Sequence, residues 1–337
     1  MELKPKDILS SDEMAALLKK SDLRGFVEIG TTWGLIALSF ALVAFWPHTP
    51  TLFVPVLIAL VLLGNRHLAL AILVHDASHH ALFKTRWLND FMGKWFAAAP
   101  VLQNLEGYRK YHLQHHRYTG QDYQGEKGDP DIILTRNYPI SKKSLRRWLL
   151  RDLTGRSAPR LYLGLLAMNL GLIRFDLSGR VVMERRERRS VLGWLKHGTL
   201  SLFPFLLTNA AMLTALILLG HGWLYLLWLA AGFTTFQFFV RVRSIAEHGM
   251  LPRVADMLRN TRTTEASWWE RLTFAPHHVN YHLEHHFLMA VPSYRLPQMH
   301  KILKERGVFK DAPLARGYAE ILRLATQKPD QDAGATA

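Results

Sequence analysis

The chain has 337 residues and no cysteine, which excludes disulfides, iron–sulfur ligation and thiolate zinc sites. Its 42 lysines and arginines outweigh 27 acidic residues for a net charge of +15, yet residues 29–65 and 197–240 carry no charged side chain other than histidine. Charge segregated in this way describes an integral membrane protein with a basic face held against anionic lipid headgroups, not a nucleic-acid-binding protein.

Residues 1–28 read as an N-terminal cytoplasmic amphipathic segment without a signal-peptide apolar core. Within it, Ser10-Ser11-Asp12-Glu13 resembles a capping box opening a short helix through Leu18. Residues 29–325 read as a single membrane domain. The first uncharged stretch is about twice the ~20 residues that cross a bilayer as helix. Pro47-His48-Thr49-Pro50 breaks it near the middle, so it predicts a helical hairpin. Asn65-Arg66-His67 interrupts the returning arm. The helix is expected to leave the bilayer near Arg66 and carry His75 into the cytosol; the alternative places Arg66 in a polar bundle interior. Residues 96–101 and 161–175 are apolar but are expected to lie along the interface without crossing.

Basic clusters come next, at Lys142-Lys143-Ser144-Leu145-Arg146-Arg147-Trp148 and Arg185-Arg186-Glu187-Arg188-Arg189. The second uncharged stretch is broken by Gly220-His221-Gly222 and predicts a second hairpin. Arg241 and Arg243 then read as a stop-transfer pair, compatible also with a headgroup phosphate. Trp33, Trp46, Trp223 and Trp228 read as membrane-interface anchors. The tail, residues 326–337, is small and polar and is expected to be disordered. The fold class is therefore an all-α integral membrane protein: four transmembrane helices as two hairpins, interfacial helices, and a cytoplasmic helical cap. Both hairpin tips lack Lys and Arg, so the positive-inside rule places the termini and central segment in the cytoplasm.

The chemistry is carried by histidine. His75-Asp-Ala-Ser-His79 is an H-x3-H; His112-Leu-Gln-His115-His116 and His282-Leu-Glu-His285-His286 are both H-x2-H-H. Residues three and four apart share a helix face, so each group can aim its rings at one point. All three groups fall on the cytoplasmic side of the expected spans. Eight converging imidazoles exceed the needs of one ion, which implies two metals. A di-iron centre that activates dioxygen fits a thiolate-free set best. A membrane zinc hydrolase would need about three histidines, and a metal transporter should place them within the spans.

The order of these boxes, with Ala246-Glu247-His248-Gly249 after the second hairpin, resembles the membrane fatty acid desaturase superfamily. The local wording agrees in His75-Asp-Ala-Ser-His-His80, Tyr111-His-Leu-Gln-His-His-Arg-Tyr118 and Asn280-Tyr-His-Leu-Glu-His-His286; the H-x3-H first box leans toward acyl-lipid or sphingolipid-type enzymes, and a bacterial acyl-lipid type is the expectation. The resemblance implies two iron ions held by His75, His79, His112, His115, His116, His282, His285 and His286, with His248 as ninth ligand. It implies an acyl-chain lipid substrate, dioxygen, and a separate electron carrier of ferredoxin, rubredoxin or cytochrome b5 type. It implies a bacterial inner membrane location with a cytoplasmic site. Double-bond formation is the leading reaction; hydroxylation, ketolation or decarboxylation on the same scaffold are the alternatives.

Several neighbours could support the ligands. Asp76, Glu247 and Glu284 could orient ring N–H groups, with a solvated charge as the plain alternative. His80 lies about 100° around the helix from His79 and reads as a supporting or solvent-facing residue. His278 and Asn280 could touch the site. Asp129, Pro130 and Asp131 could form a turn that also supports a ligand. His48 and His221 belong to the far hairpin tips, and His67, His197 and His300 read as interfacial.

Overall fold

The computed structural model describes residues 4–47, 49–122, 127–132, 137–172 and 190–327. The basic run 185–189, His48 and most of the expected disordered tail lie outside the described residues. The capping box forms as its residues require. The Ser10 hydroxyl accepts from Glu13 N–H at 3.2 Å and the Glu13 carboxylate accepts from Ser10 N–H at 2.8 Å, opening α1 (Ser11–Leu17).

Among the described residues, four helical segments are long and apolar enough to cross a membrane: Asp22–Ala44, Pro50–Ser78, Val191–Leu218 and Gly222–His248. The first is α2 (Asp22–Ala44), which starts before the uncharged stretch and takes Glu28 into its helix. The second contains α3 (Phe53–Ser78). After it come α4 (Leu105–Tyr118), α5 (Lys142–Leu153), α6 (Ala158–Asn169) and α7 (Val191–Leu218). The last segment divides into α8 (Tyr225–Phe233) and α9 (Thr235–His248) at Thr234, whose φ of −120° and ψ of −88° are not helical. The third box lies on α10 (His282–Phe287), followed by α11 (Leu296–Glu305).

Large apolar side chains point outward along α7: Leu200, Leu206 and Leu218 are 62%, 59% and 82% exposed. An apolar outer surface on helices of this length suits a hydrocarbon solvent, where every backbone group must be satisfied within the segment. Inside, Ile36 and Phe40 of α2 pack with Leu63, Leu70 and Leu73 of α3 and with Trp228 of α8. The ring of Phe45 lies 6.2 Å from that of His221, which joins the turn after α2 to the turn after α7.

The crossing of α3 with α9 depends on Gly64. A Cβ there would stand 2.1 Å from Thr235 Oγ1 and 2.9 Å from the backbone nitrogen of Phe236. Thr235 uses the close approach to donate to the Leu60 carbonyl at 2.6 Å. Gly64→Ala is therefore expected to force the two helices apart and destabilise the protein by about 1–3 kcal/mol, the usual cost of overpacking. A lowered Tm in detergent checks it.

Helix α3 runs unbroken past Arg66 to Ser78, and Asn65, Arg66 and His67 are all buried in the protein, as the polar-interior reading expects. Asn65 donates to the Thr273 carbonyl at 2.6 Å and accepts from the Arg66 guanidinium. His67 stacks on Trp228 with ring centroids 3.7 Å apart, and its Nε2 lies 3.1 Å from the Trp228 carbonyl oxygen. Trp228 is thus a core residue and His67 its partner; neither is interfacial. Hydropathy alone could not see the helix packed over them.

Residues 96–101 also differ from expectation. Ala97, Ala98 and Ala99 are buried against the bundle, while Phe96 is exposed. The 12-residue α6 is too short to span, as expected. Arg241 is engaged by Asp152 of α5, with Nη2 2.9 Å from Oδ1, and Arg243 by Glu247, with Nε 2.5 Å from Oε1. Neither guanidinium is left free for a phosphate.

The region of the third box is tied down from both ends of the chain. Strands β1 (Thr263–Thr264) and β2 (Leu314–Ala315) pair in parallel. Leu17 of α1 shares a buried cluster with Leu283 of α10 and Met299 and Leu303 of α11. The amphipathic N-terminal helix therefore buries its apolar face on the third-box helix.

Candidate metal centre

Nine histidines converge where α3, α4, α9 and α10 meet. His75 and His79 stand at the last turn of α3 and its cap, one helical turn apart. His112, His115 and His116 come from α4, His248 ends α9, and His282, His285 and His286 come from α10. The rings divide into two groups. His75, His79, His112, His116 and His285 form one, and His115, His248, His282 and His286 the other; the candidate ligand atoms of each group lie within 4.8 Å of one another. Each H-x2-H-H motif is shared between groups, because His112 and His116 lie on one face of α4 while His115 lies on its flank. The groups adjoin: His116 and His286 stack with centroids 4.2 Å apart.

The Nε2 atoms face inward. His112 and His116 Nε2 are 3.0 Å apart, His116 and His285 2.9 Å, His248 and His282 2.8 Å, and His115 and His286 3.3 Å. Outside, Nδ1 meets acceptors: Asp76 at 2.9 Å from His75, Asp129 at 2.7 Å from His115, and the Asn260 carbonyl at 3.0 Å from His248. Glu247 lies 3.5 Å from His282 Nδ1. Acceptors on Nδ1 keep the proton there and leave the Nε2 lone pair free. The Nε2 atoms of His75 and His79 are buried without any partner. Lone pairs directed at one another in a buried site are stable only around a cation. With metal–nitrogen bonds of about 2.1 Å, ligands at right angles stand about 3 Å apart, which is the spacing seen here. The residues fit a metal centre.

Burial first, and then mutual repulsion among the rings, holds His79, His112, His116, His282, His285 and His286 well below the ordinary imidazole value. They are neutral at physiological pH, the form that binds metals.

Comparison with known proteins agrees with this geometry. The profile of the family described as fatty acid desaturase matches residues 30–317. The chain belongs to the fatty acid desaturase family. It is 27% identical over 309 residues to the dihydrorhizobitoxine desaturase of Bradyrhizobium elkanii, covering 88% of this chain and 80% of that protein. It is 24% identical over 318 residues to the sn-1 oleoyl-lipid 12-desaturase of Synechocystis sp., covering 90% and 82%. A shorter match, 29% over 93 residues and covering 28% and 23%, is to the sn-1 acyl-lipid omega-3 desaturase (ferredoxin) of Nostoc sp..

In this desaturase the expected ligand histidines come together without exception, whereas the supporting residues divide. Asp76 and Glu247 face ligand rings, and Glu247 is itself held by Arg243. Glu284 turns away: it accepts from the Thr263 hydroxyl and its Oε1 lies 2.5 Å from His300 Nδ1. It clamps α10 to β1 and α11, and His300 is consequently half-buried against it, not interfacial. Asn280 donates to the Thr264 carbonyl at 2.9 Å and its own carbonyl accepts from Thr264 N–H, so it ties the third box to β1. His80 lies beyond the end of α3, 3.4 Å from Asp90, and His278 is half-buried; neither joins a histidine group.

Two supports carry no signal in the motif. Arg109 donates to the Ala77 and Ser78 carbonyls at 3.0 and 3.1 Å, and Arg262 to the Ala246 and Gly249 carbonyls at 3.0 and 2.9 Å. Each guanidinium satisfies the open carbonyls of a helix end that bears ligands.

The depressed histidine values carry a pH consequence. In the unfolded chain these rings take up protons below about pH 6.5, while in the fold they stay neutral to far lower pH. The unfolded state then binds more protons, so stability falls with pH. The metal-free protein is expected to show a Tm that is level above about pH 7 and declines steadily below about 6.5, read by thermal unfolding in detergent.

Proposed function

We propose that this protein introduces a double bond into the acyl chain of a fatty acid or membrane lipid, using two iron ions, dioxygen and electrons from a separate carrier. The observation that carries this reading is the division of nine buried histidines into groups of five and four. His75, His79, His112, His116 and His285 would hold one iron, and His115, His248, His282 and His286 the other. Iron bound there supplies one-electron redox chemistry and the activation of dioxygen. The chain's own part is to fix ring tautomers through Asp76, Asp129, Glu247 and the Asn260 carbonyl, and to keep bulk water from the ligands.

The four apolar helices are read as two hairpins. The Phe45–His221 contact supports reading both tips at one end and the histidine-bearing ends of α3 and α9 at the other. With the basic helix α5 packed on α9, we read that end as cytoplasmic and the membrane as the bacterial inner membrane. Fatty-acyl lipid as substrate is supported by the name of the Synechocystis relative, and a ferredoxin as carrier by that of the Nostoc relative.

Metal analysis and lipid mass spectrometry test the proposal together. Two irons per chain, and membrane lipids lighter by two hydrogens on expression, are expected. One zinc without iron would sink it, and a product heavier by one oxygen would redirect it to hydroxylation.

A further inference from the structure

Helix α2 supplies no histidine to either group, yet one stripe of it touches the flanks of two boxes. Asp22, Gly25, Glu28 and Thr32 recur at about one turn along the helix. The Asp22 carboxylate accepts from the Thr85 N–H at 2.8 Å and its hydroxyl at 2.7 Å, just beyond the first box. At Gly25 a Cβ would stand 2.6 Å from both the Leu82 carbonyl oxygen and the Phe83 ring, so a bare backbone is what lets α2 press on the segment leaving His79.

Farther along, Glu28 and Thr32 hold His277 by both ring nitrogens. Nδ1 bonds the Glu28 carboxylate and Nε2 lies 2.8 Å from Thr32 Oγ1. His277 and His278 both adopt left-handed backbone, with φ of 51° and 59°. Two successive residues with side chains persist in that region only when their surroundings hold them there. The turn leads directly through Asn280 into α10 and the third box. A buried carboxylate–imidazole contact adds little net stability, but it can select one register over others.

We infer that α2 is a positioning element for the metal centre. The Glu28–His277–Thr32 contact fixes the left-handed turn from which the third box hangs, while Asp22 and Gly25 fix the segment that leaves the first. A helix without ligands thereby sets the placing of His282, His285 and His286 against His75 and His79. The metal-binding half of this inference rests on the proposed function; the ordering of the turn does not.

The test follows amide hydrogen exchange over residues 276–287 in metal-free protein, and iron loss to a chelator from loaded protein. Glu28→Gln, Thr32→Val and His277→Gln are each expected to speed both by about tenfold, as loss of an outer support to a ligand commonly does. Ser39→Ala is the control. Ser39 is buried on the same helix and its hydroxyl donates to the Leu35 carbonyl at 2.7 Å, so this change alters the buried face of α2 without reaching the turn. Wild-type rates in the three variants, or equal acceleration in Ser39→Ala, would overturn the inference. If His277→Gln does not accumulate, Glu28→Gln, which removes the charge behind Nδ1, and Thr32→Val, which removes the bond to Nε2, decide the matter. A wild-type protein that takes up no iron would overturn the proposed function, and the metal-free exchange would still decide the role of α2.

Discussion

His285→Ala is expected to abolish double-bond formation and to lower bound iron from two per chain toward one, while the protein still inserts in membranes. His285 is the one third-box residue in the group of five; its ring centroid lies 4.2 Å from that of His75, 4.9 Å from His79 and 4.7 Å from His116. It is the link by which α10 reaches ligands on both α3 and α4. Alanine removes a donor and leaves the inward lone pairs of His75 and His79 around a space where a ring stood. Insertion should survive because the apolar outer faces of the spanning helices are remote from this ring. Whole-lipid mass spectrometry and iron analysis of the purified variant check both halves, and retained product would refute the assignment of His285 as ligand.

Asp129→Asn is expected to weaken metal binding or turnover by about 10–100-fold, the range for loss of a carboxylate behind a ligand histidine. Asp129 is buried; its Oδ1 accepts from His115 Nδ1 at 2.7 Å and its Oδ2 from Gly120 N–H at 3.0 Å. Burial pushes this carboxyl up, but the His115 ring and the Gly120 N–H together outweigh burial and hold it below its ordinary value, hence ionised. An ionised acceptor fixes the Nδ1–H tautomer of His115 and makes its Nε2 a better donor. Asparagine keeps the shape but loses the charge, and its amide can rotate an N–H toward the ring. Chelator competition on the loaded protein reads the affinity directly. An unchanged affinity together with unchanged turnover would mean that Asp129 serves only the turn at Gly120.

Most of the ligand set was legible in the sequence. Spacings of three and four residues confine His112, His115 and His116, or His282, His285 and His286, to one side of a helix whatever surrounds it. The uncharged stretches likewise announce apolar helices, because a bilayer tolerates little else. The supports were less legible. Glu284 neighbours a ligand in sequence but faces His300, because α11 lies behind it. Nothing in the chain order shows that Arg66 is buried, with Asn65 and His67 held by Thr273 and Trp228. Glu28 and His277, 249 positions apart, give no hint of each other in the chain.

The amino-acid order alone determines that this is a cysteine-free, histidine-rich metal protein with four apolar helices, because helix period and hydropathy act within a turn or a span. Tertiary structure decides that nine rings divide five and four, that His115 joins His286, 171 positions away, and which carboxylates stand behind them. The physical reason is range: a helix fixes the direction of a side chain, but only packing fixes what that side chain meets.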